Sequence, residues 1–268
     1  MTLITGSITL IAIALIAIAL WSYIAERKRM APLQRINSTK GYVVREVEQK
    51  NRDWENLFSI PRAKEDATPK YAIIDIQTTG LCTIEDKEDR IVELTWLILD
   101  SEYNEIRRGV RRVLQKTTGS EDAKRVHHIS EATLMTTGEE EKVVLQAFWK
   151  DVSEVPIWVF HNAKFDLSIL HAAFRDLLPS LESELLNHTA LCTMTYLTAD
   201  KSRDNQYPSL INLTSSFYPS SAIHLRQSHI ISFRNACLTR ACLIKLLALY
   251  PQLLAANYPL SASDHLKQ

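Results

Sequence analysis

The sequence predicts an α/β domain, a mixed sheet flanked by helices, standing behind one N-terminal membrane-spanning helix. Two observations carry this. Three strand-like runs follow one another from Tyr71, and strands then alternate with helices, the order of a mixed sheet covered on its faces. Ahead of them, no charged residue occurs between Thr2 and Ala25.

The run Leu3–Leu20 is mostly Leu, Ile and Ala, enough helical rise to cross a hydrocarbon core of about 30 Å. Trp21 and Tyr23 follow where interfacial aromatic anchors belong. A cleaved signal peptide would carry basic residues before a shorter apolar core, whereas Arg27, Lys28 and Arg29 come after it. Positive flanks stay cytoplasmic, so the N-terminus is expected outside and the rest of the chain in the cytoplasm of a bacterial inner membrane. The expected division is an anchor over 1–25, a charged juxtamembrane tether over 26–69, the domain over 70–255 and a C-terminal tail over 256–268. The tether's basic residues would face anionic lipid or simply solvent.

Composition narrows the function. The 31 basic and 31 acidic residues cancel, so any nucleic-acid binding has to come from a local patch. Four scattered cysteines without a CxxC pair exclude a zinc knuckle and a disulfide scaffold, and predict buried free thiols. Only six glycines leave no room for a phosphate-binding loop of the Rossmann or P-loop kind.

Tyr71–Asp75 is a short apolar run ending on a carboxylate, followed by a turn at Thr78–Gly80: a buried strand delivering Asp75 to its C-terminal rim. Strands are expected over Ile91–Leu99 and Ile106–Leu114. The second carries Arg107, Arg108, Arg111 and Arg112, which predicts an edge strand whose charges face either solvent or nucleic acid. Ser130 and Glu131 open a short helical turn. Glu139–Asp151 presents Val143, Val144, Ala147 and Phe148 as a helical face. A strand at Pro156–Phe160, a helix at Lys164–Leu178, a strand near Leu191–Met194 and a closing helix near Asn235–Tyr250 complete the pattern, in which Cys237 and Cys242 are core positions. This order fits a ribonuclease H-like architecture.

Asp75-Ile76-Gln77-Thr78-Thr79-Gly80-Leu81 resembles the first motif, D-x-E-T-T-G-L, of the DEDD 3′–5′ exonucleases, the group of the polymerase proofreading subunit and ribonuclease T. Asp89–Leu94 looks like that family's second strand, and His127-His128-Ile129-Ser130 resembles its H-G-I-T/S stretch. Phe160-His161-Asn162-Ala163-Lys164-Phe165-Asp166 is similar to its second motif, H-N-a-x-F-D. The likeness runs from about Tyr71 to Tyr250. It implies two divalent ions held by four carboxylates, activating a water and stabilising the leaving oxygen of a phosphodiester. On that template Asp75 would bridge both ions, residue 77 would bind the first and Asp166 the second. Thr78, Thr79, His161 and Asn162 would line the substrate.

Two departures are legible. Residue 77 is Gln, whose amide brings no charge and cannot serve as a base. The third motif, H-x-A-x-x-D-A, aligns with Arg234-Asn235-Ala236-Cys237-Leu238-Thr239-Arg240, which puts Arg at the His and Thr at the Asp. No Asp or Glu occurs between Asp204 and Asp264, so no register of the closing helix restores the acid. Asp75 and Asp166 alone would hold at most one Mg2+ or Mn2+ ion, and Arg234 and Arg240 would bring positive charge to its neighbourhood, where it could replace a cation in holding a substrate phosphate, Arg234 being the expected contact. The expected function is a membrane-tethered, exonuclease-like protein that binds single-stranded nucleic acid or a nucleotide with weak or lost hydrolysis. The alternatives are an active one-metal exonuclease with Asp75, Gln77 and Asp166 as ligands, and a scaffold for a protein partner.

Overall fold

In the computed structural model, residues 57–80, 89–195, 207–218, 230–254 and 260–267 are described. All of them belong to the second of two units, Asp53–Gln268. The anchor and the first part of the tether lie outside the described residues. Among the described residues, no helix is long and apolar enough to cross a membrane.

Seven strands form one sheet in the order β4-β3-β2-β1-β5-β6-β7. They are β1 (Tyr71–Thr78), β2 (Ile91–Leu99), β3 (Glu105–Val113), β4 (Gly138–Glu139), β5 (Ile157–Phe160), β6 (Thr189–Cys192) and β7 (Leu260–Ser261). The first three pair as an antiparallel meander, while β5 joins β1 in parallel and β6 joins β5 in parallel. The helices are α1 (Glu121–His127), α2 (Glu131–Thr137), α3 (Glu141–Val152), α4 (Ala163–Leu177), α5 (Glu182–Asn187), α6 (Leu210–Phe217), α7 (Ile231–Leu249) and α8 (Ala262–Lys267).

The strand period of two sorts each central strand onto two faces. Ala72, Ile74 and Ile76 of β1 and Leu94, Trp96 and Ile98 of β2 pack with Phe148 of α3 and Leu167, Leu170 and Phe174 of α4. Tyr71 and Ile73, with Leu97 and Leu99, pack under Ala236, Leu243, Leu246 and Leu247 of α7. The other side of α7 is apolar too, because Leu238, Ala241 and Cys242 are covered by Leu57 and by Leu210 and Leu213 of α6. A helix buried on both sides shows no single apolar stripe.

Several expectations need correction. The helical face of α3 is Val144, Leu145, Phe148 and Val152, one step round from the expected one, and Val143 is 43% exposed. The tether does not extend to residue 69. Leu57 is buried, Arg62 pairs with Glu105, and the Ala63 and Lys70 amides donate to the Glu105 and Leu99 carbonyls. The final residues are not all a tail either, since β7 pairs antiparallel with β6 and α8 buries Ala262 and His265. Helix α6 has no expected counterpart; Ser209 starts it by accepting from the Asn212 amide. The strand expected over Ile106–Leu114 is β3, but it is not the edge of the sheet, because the two-residue β4 pairs in parallel with Arg112 and Val113.

The arginines of β3 are neutralised within the domain. Arg107 pairs with Asp151, Arg108 with Glu105, Arg111 with Glu139 and Arg112 with Glu93. Glycine between them is a packing requirement: Gly109 lies opposite Trp96, and a Cβ there would fall 2.0 Å from the indole. The Trp96 ring is held in place by Nε1 donating to Asp151 at 2.8 Å.

Candidate functional site

Asp75 and Gln77 share the α7 face of β1, at the end where apolar residues stop. Their cross-strand partners on β2 are Thr95 and Glu93, on the same face by antiparallel register. The first turn of α7 lies over this polar end and adds Ser232, Arg234 and Asn235. Asp166 comes from the first turn of α4, at the C-terminal end of β5, and its Oδ1 accepts from the Ile76 amide at 3.3 Å. Residues distant in sequence thus meet at the carboxyl ends of β1 and β5, where a parallel crossover leaves a crevice.

The nearest neighbours of Asp75 are nitrogen donors. Gln77 Nε2 donates to Asp75 Oδ2 at 2.6 Å. The Asn235 amide also hydrogen-bonds Asp75, and the Arg234 guanidinium lies close enough to stabilise its charge. Arg234 Nη2 in turn donates to Asn235 Oδ1 at 3.3 Å, while Arg234 Nε is buried without a hydrogen-bond partner.

Burial still dominates the electrostatics. It pushes the Asp75 carboxyl up to about 7, against the pull of Gln77, Asn235 and Arg234 and with a push from Glu93. Asp166 is held well above the ordinary carboxylate range by burial and by the neighbouring Asp75. Two acids sharing a low-dielectric site favour either a proton or a cation between them.

Glu93 is the acid that motif reasoning passed over. It is 1% exposed, directly across from Gln77, and accepts from Ser232 Oγ at 2.5 Å and from Arg112 Nε at 3.0 Å. Thr95 Oγ1 lies 2.6 Å from the same Ser232 hydroxyl. Its one available signal was parity: Glu93 and Thr95 fall on the same side of an otherwise apolar strand.

The expected substrate-contacting residues are used differently. The Thr78 hydroxyl donates to the Gly80 carbonyl. The Thr79 hydroxyl donates to Asp89 and accepts from the Arg90 amide at 2.9 Å. Gly119, at φ 101°, fits against Thr79 where a Cβ would be 1.8 Å from the Thr79 carbonyl oxygen. These bonds set the turn after β1. His161 Nε2 lies 3.2 Å from the Pro208 carbonyl and so carries the proton, while Nδ1 lies 3.1 Å from the Thr193 hydroxyl, which also reaches the Phe160 carbonyl at 3.2 Å. Burial lowers its pKa to about 4, which keeps the ring neutral as a clamp between the end of β5 and the start of α6. Asn162 stands at the α4 N-cap without a side-chain cap bond. His127 bonds the Thr118 carbonyl and the Ile129 amide, a structural role.

Arg240 is the clear displacement. It is 2% exposed and donates through Nε to the Tyr103 carbonyl at 2.9 Å, in the turn between β2 and β3. That turn is at the other end of β1 from Gln77, so Arg234 alone of the two arginines charges the site. Thr239, at the family's third-motif acid, is 1% exposed.

The donor set decides what ions fit. Among the described residues, no three His, Cys, Asp or Glu side chains converge as a metal group. Asp75 and Asp166 fit one water-rich ion. They do not fit a pair, because Asp75 Oδ2 is taken by the Gln77 amide and the remaining nearby acid, Glu93, is bound by Arg112 and Ser232.

An exonuclease family model named for RNase T matches residues 72–217, more than half of the chain. That span includes Asp75 and Asp166 and ends before α7. Escherichia coli exonuclease I in complex with a dA16 oligonucleotide superposes with a TM-score of 0.53 at 18% identity, over 68% of this chain and 41% of that one. Its zinc-bound complex with single-stranded DNA gives 0.53 at 16% identity, over 70% and 42%. Exonuclease X with 5′ overhanging duplex DNA gives 0.47 at 20% identity, over 73% and 99%. The likeness to exonuclease I supports the fold, and the chain matches about two fifths of that enzyme's length. No curated protein matches the chain in sequence.

Proposed function

The chain belongs to the RNase T exonuclease family of the DEDD 3′–5′ exonuclease superfamily, and from that premise we propose that it is a membrane-anchored member that binds single-stranded nucleic acid with weak or lost phosphodiester hydrolysis. The observation that carries this reading is the 2.6 Å bond from Gln77 Nε2 to Asp75 Oδ2. Where a second carboxylate would hold a cation, an amide donor satisfies the first one. Exonucleases of this superfamily use divalent ions such as Mg2+, which supply an activated water and a clamp on the leaving oxygen. With Thr239 and Arg234 in the third motif, α7 offers neither the fourth acid nor the proton-handling histidine.

Asp75 and Asp166 would hold at most one Mg2+ or Mn2+ ion. The bound oligonucleotide of exonuclease I supports single-stranded nucleic acid as the ligand. Anchoring through residues 1–25, with the N-terminus outside and the domain at the cytoplasmic face of an inner membrane, rests on the uncharged stretch from Thr2 to Ala25 and the basic residues Arg27, Lys28 and Arg29 after it.

A second reading has its own support: two crowded, buried carboxylates with raised pKa values favour one cation, and with it residual hydrolysis. The deciding assay is degradation of 3′-labelled single-stranded DNA and RNA by the full-length chain in mild detergent with Mg2+ or Mn2+, beside Asp75→Ala and Asp166→Ala. No cleavage by the folded chain, with retained binding, is expected. Metal-dependent cleavage that disappears in both variants establishes the one-ion enzyme instead.

A further inference from the structure

The two-ion site of the family and the residues of this chain disagree at one place, and that disagreement has a direction. Among the described residues around Asp75, Gln77, Asn235 and Arg234 are all nitrogen donors, and the one further acid, Glu93, is already bound by Arg112 and Ser232. We propose that Arg234 stands in for a cation of the family site and holds a phosphate of single-stranded nucleic acid beside Asp75, so that binding needs no divalent ion. This rests on the nucleic-acid-binding reading above.

Three features single out Arg234. Asp75 already accepts from two amides, so it does not use up the guanidinium. One Arg234 nitrogen is bonded to Asn235 Oδ1, which turns the Asn235 amide nitrogen toward Asp75 and fixes the side chain at the site. Arg234 Nε, by contrast, is buried with no partner. A guanidinium has five N–H donors in a planar fork that matches two phosphate oxygens, so a phosphate would satisfy what the protein leaves open.

Among the described residues, the neighbouring cations are otherwise engaged. Arg112 is bound to Glu93, Arg90 pairs with Asp176, and Arg240 is directed to the Tyr103 carbonyl. The site position also fits: Arg234 lies in the first turn of α7, beside Asp75 at the carboxyl end of β1. A fixed guanidinium there attracts a phosphate but cannot generate a hydroxide, which makes retained binding compatible with lost hydrolysis.

The test is fluorescence anisotropy of a short 5′-labelled oligothymidylate on the full-length chain in mild detergent, in EDTA and again in Mg2+. Affinity is expected to differ by less than about threefold between the two buffers, and Arg234→Gln to weaken it by roughly tenfold in both. Arg234→Lys, which keeps the charge without the fork, is expected to fall between them. The salt dependence of Arg234→Gln should be shallower by about 0.7 per lost phosphate contact. Binding that requires Mg2+, or that is unchanged in a folded Arg234→Gln variant, overturns this proposal while leaving nucleic-acid binding intact. Absence of binding in either buffer overturns both.

Discussion

Gln77 Nε2 donates to Asp75 Oδ2 at 2.6 Å, and directly across the strand pair from Gln77 stands the buried carboxylate of Glu93. The β1 and β2 strands therefore bring an acid, an amide and a second acid onto one face, with the amide separating the like charges. Gln77→Glu removes that separation. It is expected to destabilise the metal-free chain by about 1–3 kcal/mol, because an added buried carboxylate has no donor of its own. Millimolar Mg2+ should recover much of the loss, read as a shift in thermal midpoint, with tighter Mg2+ binding by calorimetry than the parent chain. A variant as stable as the parent without Mg2+ would show that residue 77 does not sense Asp75.

The pH dependence of stability contains two opposing parts. Asp75 rises from 3.8 to about 7 on folding, so its contribution is present below 3.8 and is lost as pH rises through 7. His161 falls from 6.5 to about 4, so its contribution is present above 6.5 and is lost as pH falls through 4. The two slopes offset each other over the shared range. Asp75→Asn should expose a rise in urea midpoint with pH across it, and His161→Gln a fall. Asp166 is also raised, so it adds to the Asp75 part, and the metal-free parent loses its contribution too as pH rises above 3.8. Parallel profiles for all three proteins would contradict the burial of these groups.

Glu93 ties β2 to β3 through Arg112 and to α7 through Ser232. Glu93→Gln is expected to cost about 2–4 kcal/mol, as one partner of a buried pair is removed and the other left behind. A double-mutant cycle with Arg112→Gln should give a coupling energy near 1 kcal/mol or more. Additive effects would mean that the pair is incidental.

Gly109→Ala is expected to destabilise by about 1–3 kcal/mol, because the new methyl group meets the Trp96 indole and neither ring face nor strand can yield freely. Chemical denaturation reads this directly. A neutral result would show that the Asp151 bond does not hold the ring in place.

Much of this protein was legible along the chain. The apolar run ending at Asp75, the turn after it, and the second motif ending at Asp166 are each contiguous, and a strand or a first helical turn carries them to the same rim without help from distant residues. The missing acid of the third motif was likewise a property of the sequence, since no Asp or Glu lies in that stretch. Only the tertiary structure decided which neighbours complete the site. Ser232 reaches Glu93 across 139 positions, and Asn235 reaches Asp75, because the phase of α7 on the sheet and the register of β2 on β1 bring them together. The same helical phase separates Arg234, which faces Asp75, from Arg240, whose side chain reaches the opposite end of the strands. Strand parity and motif spacing are local and survive in the sequence, whereas helix rotation and strand register are set by the sum of core contacts.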